Sequence, residues 1–226
     1  MKTQLSINNN QCVILLHGLA RNDSSMKKLA QALDDAGYFT INIDYPSTKK
    51  HIAALAQDAI TKALSQCPEQ STINFVTHSM GGILVRQYLK KNTIKNLGRV
   101  VMLGPPNKGS HVVDTLSKMP GFKLINGPAG MQLGTTKVSI PNTLGSANFE
   151  LGIIAGNRSV NPILSLMLPN PDDGKVSVEN TKLKGMNDHI ELPVTHSFMM
   201  NNMNVISQVL YFLEHGAFNK AKKHKH

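Results

Sequence analysis

INFVTHSMGG, residues 73–82, decides how this chain folds. The apolar run INFV passes through Thr77, His78 and Ser79 directly into MGGILVRQYLKK, whose apolar period is helical, leaving no residues for a loop. A strand-to-helix turn this tight holds its apex residue in a strained backbone conformation and exposes the side chain there. Ser79 is the apex. Residues two places away must be small; Gly81 satisfies this on one side, whereas Thr77 stands where the common G-x-S-x-G pattern has glycine. The first amides of the following helix, with its dipole, face the site where an oxyanion would develop. A plainer reading of the same residues is a helix-capping serine, since serine is a favoured N-cap and the pentapeptide pattern has false positives.

On both sides of this turn the chain alternates strand and helix. Strands are predicted at 12–16, 38–43, 73–76, 99–103, 151–155 and 190–194. Helices are predicted from about Ser24 (capped by Asp23 and ended by Gly37), at 51–65, 81–91 and 111–119, and from about Asn202 to Leu213. That alternation predicts one α/β domain over 1–218, a mostly parallel sheet with helices on both faces. Residues 120–148 lose the period and are dominated by glycine and proline, which predicts a long excursion rather than a packed layer. Residues 175–178 read as a short extended piece.

Composition narrows the class. The 226 residues are 41% apolar and 17% charged, which excludes disorder, collagen and coiled coil. No apolar run approaches the ~18–20 residues of a membrane span, and MKTQLSINNNQ lacks the apolar core of a signal peptide, so a soluble, cytoplasmic protein is expected. Cys12 and Cys67 form no CxxC pair or disulfide framework and are expected to be two buried thiols. The net charge is +10, but four lysines crowd into residues 220–226 without an acid. Residues 219–226 are therefore expected to be a solvated, disordered tail, whose alternative use is weak contact with an anionic membrane surface. With no Trp, no RNP-like aromatic motif and no Cys/His metal spacing, nothing beyond charge supports nucleic-acid recognition or a metal site.

His17-Gly18-Leu19 follows the first strand, at the sheet's carboxyl edge where ligands gather in parallel sheets. The Leu19 N–H is expected to be one oxyanion donor and the Met80 N–H the other. A serine hydroxyl also needs an imidazole to take its proton and a carboxylate to orient that imidazole.

LLHGLAR at 15–21, NIDYPS at 42–47, THSMGGILVR at 77–86, GRVVMLGPPNKGS at 98–110, GPAGMQLGT at 127–135, DGKVSVENT at 173–181 and LPVTH at 192–196 together make the chain resemble α/β-hydrolases of the bacterial lipase and esterase type. The resemblance implies a serine hydrolase with a Ser, acid, His triad in that chain order, no cofactor, and carboxylic esters as substrates. His196 follows the strand at 190–194 and should share an edge with Ser79; His189 starts that strand and should lie at the other edge. His111 and His215 fall in helices, and His224 and His226 in the tail. The D-G-x-V pattern of the family matches Asp173 to Val176 and favours Asp173 as the acid, with Asp172 its rival. Asp114, Asp188 and Glu179 read as surface or supporting groups, and Asp44 as a loop anchor. Ile163, Leu164, Leu166, Met167 and Leu168 are candidates for acyl-chain binding, or else a short packed segment. The expected reaction is hydrolysis of a small-molecule or lipid ester through an acyl-enzyme. An acyltransferase or thioesterase with the same triad, and a non-catalytic binding protein on this fold, are the alternatives.

Overall fold

Apolar residues run consecutively through β1 (Gln11–Leu16) because both of its faces are covered. Cys12, Ile14 and Leu16 enter one core while Val13 and Leu15 enter the other. In the computed structural model, which describes residues 10–159, 168–169 and 171–220, β1 is joined by β2 (Phe39–Ile43), β3 (Thr72–His78), β4 (Leu97–Leu103), β5 (Leu151–Gly156) and β6 (Asp188–Leu192). The described strands make a single sheet in the order β2-β1-β3-β4-β5-β6, with every neighbouring pair parallel. Helices α1 (Lys27–Asp35) and, at the end of the chain, α8 (Met203–His215) cover one face. The other face is covered by α2 (Ile52–Leu64) and α3 (Met80–Leu89).

From β1 the chain steps outward to β2, then returns past β1 to β3 and continues the other way. The strand order therefore reverses between β1 and β3, and a crevice opens there at the carboxyl edge. The Leu16 to Thr77 register of these two strands brings the residues that follow them side by side: Gly18 beside Ser79.

Four expectations need correction. Residues 120–148 leave the sheet as a long excursion, with Leu124, Ile125 and Val138 exposed, but they are partly helical rather than irregular throughout. After α4 (His111–Leu116) come α5 (Phe122–Gly130), kinked at Gly127 (φ 63°) beside Pro128, and α6 (Ile140–Thr143). Part of their anchor is polar, and the apolar part, Ala129 and Leu133 in the core with Ile140 and Leu144 against it, follows no helical period. The buried Arg86 guanidinium of α3 donates to the carbonyls of Pro141 (3.0 Å) and Gly145 (2.9 Å) and to both oxygens of Asn107 (3.1 Å each). Burial lowers the Arg86 pKa to about 10. Second, the extended piece expected at 175–178 is interrupted: Ser177 is extended (φ −70°, ψ 149°) and forms an isolated bridge with Asp172, but it caps a helical turn, α7 (Val178–Thr181), that begins at the next residue. Third, β6 ends at Leu192, two residues early, so His196 sits on a loop that has already left the sheet.

The fourth correction concerns the cysteines, which are joined in a disulfide with Cα atoms 5.8 Å apart. Neither is a free thiol. Cys12 is the second residue of β1, and Cys67 lies just past the end of α2, which packs on the same face. A helix running antiparallel to its sheet returns the chain to the amino edge, so 55 residues of sequence separation close to bonding distance. Spacing alone hides this.

No helix among the described residues is long and apolar enough to cross a membrane. At the chain's end, Asn219 exchanges two hydrogen bonds with Gln208 of α8 (2.9 and 2.8 Å), and Lys220 pairs with Asp188 at the start of β6. Residues 221–226 lie outside the described residues.

Candidate active site

Ser79 separates β3 from α3 with no intervening residue, and its backbone sits at φ 53°, ψ −119°. Such a conformation costs a non-glycine residue roughly 1–3 kcal/mol and persists only where the surroundings impose it. Here the Ser79 N–H donates to the Leu103 carbonyl of β4 (2.8 Å), while α3 is pressed against β1. A Cβ at Gly81 would stand 2.5 Å from the Leu16 carbonyl oxygen, so only glycine admits this approach. Thr77, fully buried, is accommodated at the other small position because Gly82 opposite has no side chain; a Cβ there would lie 3.3 Å from Thr77 Oγ1.

Ser79 Oγ lies 3.0 Å from His196 Nε2, and His196 Nδ1 lies 2.7 Å from Asp173 Oδ2. A carboxylate can only accept, so Nδ1 carries the proton and Nε2 presents its lone pair to the serine hydroxyl. Asp173 is held as firmly as it holds. Its Oδ1 accepts the N–H groups of Lys175 (3.0 Å) and Val176 (2.8 Å), and its carbonyl accepts the His196 N–H (2.9 Å). Asp173 comes from the loop after β5 and His196 from the loop after β6, both on the carboxyl edge with Ser79. Asp172 is equally buried but shapes the turn, accepting the Gly174 N–H at 2.7 Å.

His78 had no predicted role. It is almost wholly buried, and its Nε2–H donates to the His196 carbonyl (2.9 Å), fixing the loop that carries His196. Desolvation holds its pKa well below the ordinary value, with the neighbouring His196 adding to the shift. A polar residue directly before Ser79, at the end of an apolar strand, was the only signal available in the sequence.

On the β1 side, His17 is buried and stacked on Tyr45 with ring centroids 4.0 Å apart; Tyr45 Oη donates to the His17 carbonyl at 2.5 Å. Burial lowers the His17 pKa, opposed by the Gly18 carbonyl and by Asp44, whose Oδ1 lies 3.3 Å from His17 Nε2. Asp44, largely exposed, thus lies beside the buried His17 at the start of the loop after β2. The Ala20 N–H donates to Ser47 Oγ (3.1 Å), which ties the loop after β1 to the loop after β2. Leu19 lies on the cavity wall between these anchors. Met80, first residue of α3, has no i−4 carbonyl within its helix for its N–H.

A cavity of about 630 Å³ opens over Ser79 and His196. One wall is apolar: Val112, Val113 and Leu116 of α4 with Phe122 and Ile125 of α5. Phe122 and Ile125 were missed because the segment carrying α5 lacks a helical apolar pattern; α4 was predicted as a helix but not as part of the site. The predicted acyl-binding residues Ile163, Leu164, Leu166 and Met167 lie outside the described residues; Leu168 is buried. The remaining candidates are elsewhere. His189 Nε2 is 3.0 Å from Thr181 Oγ1, Asp114 accepts from Thr135, Glu179 pairs with Lys108 and Lys182, and His215 stacks on Tyr211. Among the described residues no cluster of three or more His, Cys, Asp or Glu is placed to hold a metal ion.

The strand order and the helices covering both faces of the sheet are those of the α/β-hydrolase fold. Residues 12–119 match the model of the Alpha/beta hydrolase family. The mature form of the lipase BlEst2 from Bacillus licheniformis is similar, with a TM-score of 0.69, 18% identity, and 91% of this chain covering 92% of that one. The metagenomic carboxyl esterase MGS0156 is similar over 83% of this chain and 65% of that one, with a TM-score of 0.65 and 18% identity. The phospholipase PlaB from Legionella pneumophila is similar over 77% of this chain and 45% of that one, with a TM-score of 0.60 and 19% identity. No curated protein matches the sequence.

Proposed function

We propose that the protein is a serine hydrolase of carboxylic esters, acting through Ser79, His196 and Asp173. The observation that carries this reading is the chain of hydrogen bonds from buried Asp173 through His196 to a strained, cavity-facing Ser79. Ser79 Oγ attacks the ester carbonyl while its proton passes to His196 Nε2. Asp173 fixes the imidazole tautomer and offsets the charge that forms. The Leu19 and Met80 N–H groups bind the tetrahedral oxyanion. Collapse expels the alcohol, which takes the proton from His196, and leaves an acyl group on Ser79. Water, deprotonated by the same imidazole, then releases the acid.

The apolar α4–α5 wall receives the acyl chain, which suits a small-molecule or lipid ester. The similarity to proteins described as a lipase, a carboxyl esterase and a phospholipase supports this class. The Cys12–Cys67 bridge argues for an oxidising compartment rather than the cytoplasm.

Turnover of p-nitrophenyl esters by the wild type and by Ser79→Ala tests the reading. Ser79→Ala should lower kcat by about 10⁴-fold or more, because the remaining binding and oxyanion contacts cannot replace the nucleophile. An active Ser79→Ala variant would overturn the assignment.

A further inference from the structure

Two cations face the same cavity as Ser79 and His196: Arg21, from the loop after β1, and Lys175, from the loop that carries Asp173. The Lys175 backbone is fixed relative to the triad, because its N–H donates to Asp173 Oδ1. Neither cation has an ion-pair or side-chain hydrogen-bond partner among the described residues; Lys49, Lys62 and Lys91 share that condition, and what sets Arg21 and Lys175 apart is that both line the cavity over Ser79 and His196. Asp173, the acid that acts on Lys175, does not neutralise it. Both Asp173 oxygens are already taken, Oδ2 by His196 and Oδ1 by two backbone N–H groups. Asp44, near the same edge, stands against His17.

We propose, building on the hydrolase reading, that the substrates of this site are esters carrying an anionic group, a carboxylate or a phosphate, bound between Arg21 and Lys175 while the acyl chain lies against the α4–α5 wall. A planar guanidinium and a flexible ammonium approaching from two loops can together satisfy several oxygens of such a group. Like charges brought together beside an apolar wall repel, and an anion between them reverses the sign of that interaction. The electrostatics agree: desolvation lowers the Lys175 pKa, Arg21 lowers it further, and Asp173 opposes them. Both cations also act on His78. Elsewhere along the cavity, Val112, Val113, Leu116, Phe122 and Ile125 offer an anion no partner.

The test compares matched ester pairs at low ionic strength. One pair is p-nitrophenyl butyrate against the p-nitrophenyl monoester of glutarate, which places a carboxylate on the acyl side. The other is butyrylglycerol against butyrylglycerol phosphate, which places a phosphate on the alcohol side. The wild type should favour the anionic member of at least one pair by roughly tenfold or more in kcat/KM, and added salt should shrink that ratio. The pair that responds identifies the source of the charge. Arg21→Gln and Lys175→Gln should each reduce the ratio towards one, and Arg21→Lys should restore part of it. A wild-type ratio near one in both pairs, with the neutral ester still turned over, overturns this inference and leaves the hydrolase reading intact. A ratio unchanged in both glutamine variants also overturns it. If no ester is cleaved and no fluorophosphonate adduct forms, the hydrolase reading fails, and this inference with it.

Discussion

Asp172 and Asp173 are neighbours in the chain, both buried, and hold different partners. Asp173 accepts a hydrogen bond from His196 Nδ1–H, while Asp172 accepts one from the Gly174 N–H and shapes the turn. Asp173→Asn should keep the fold but stabilise the wrong imidazole tautomer, costing about 10⁴-fold in turnover. Asp172→Asn should cost far less. Steady-state kinetics of the two variants on one soluble ester decide this, and a dead Asp172 variant beside an active Asp173 variant would move the acid by one residue. The same assay should find His196→Ala as damaging as Ser79→Ala and His189→Ala largely active, since His189 sits inside β6 against Thr181. At this scale the sequence was informative because chemistry is local to a motif. Ser79 follows from the absence of loop residues before its helix, and Asp173 and His196 from the resemblance at 173–176 and 192–196. What it could not reveal was His78, whose task depends on a carbonyl 118 residues away.

Among the elements, the alternating β and α units around β3 were legible because a strand covered on both faces and a helix covered on one leave different apolar periods. α5 was not legible. It is short, kinked at Gly127, and part of a segment held by scattered core contacts of Ala129 and Leu133 and by hydrogen bonds from Arg86 to Pro141 and Gly145 rather than by a continuous apolar stripe. Replacing Arg86 with Met should leave four buried or part-buried acceptor contacts unmade and lower the unfolding free energy by roughly 2–4 kcal/mol, measured by urea denaturation. A loss below about 0.5 kcal/mol would show that the α5–α6 segment does not depend on this anchor. The acyl wall has its own test. Leu116→Ala or Phe122→Ala should reduce kcat/KM for an octanoate ester about tenfold more than for an acetate ester, since only the longer chain reaches that wall. Equal losses on both esters would place the acyl chain elsewhere.

For the whole molecule, the Cys12–Cys67 bridge closes 55 residues containing β1, α1, β2 and α2, and a loop of that size confers roughly 4 kcal/mol by restricting the unfolded chain. Denaturation with and without reductant should differ by up to that amount. Identical curves would mean that the bridge adds nothing to stability. Stability should also depend on pH. The pKa values of His17, His78 and His189 are lowered in the fold, chiefly by burial. Below about pH 6.5 the unfolded chain therefore binds more protons than the folded one. Their contribution is fully present above that pH and is lost as pH falls towards the folded-state values, so Tm should drop between pH 7 and 5; a flat Tm would contradict it. The disulfide was illegible for the same reason that the site is compact: parallel strands and returning helices join residues far apart in sequence. The central claim is that one serine is activated by one imidazole, and mass-spectrometric mapping of a fluorophosphonate adduct tests it most directly. The predicted result is a single adduct on Ser79 in the wild type, forming at least about 10³-fold more slowly in His196→Ala; an adduct on another serine, or one on Ser79 that forms equally fast without His196, would contradict it.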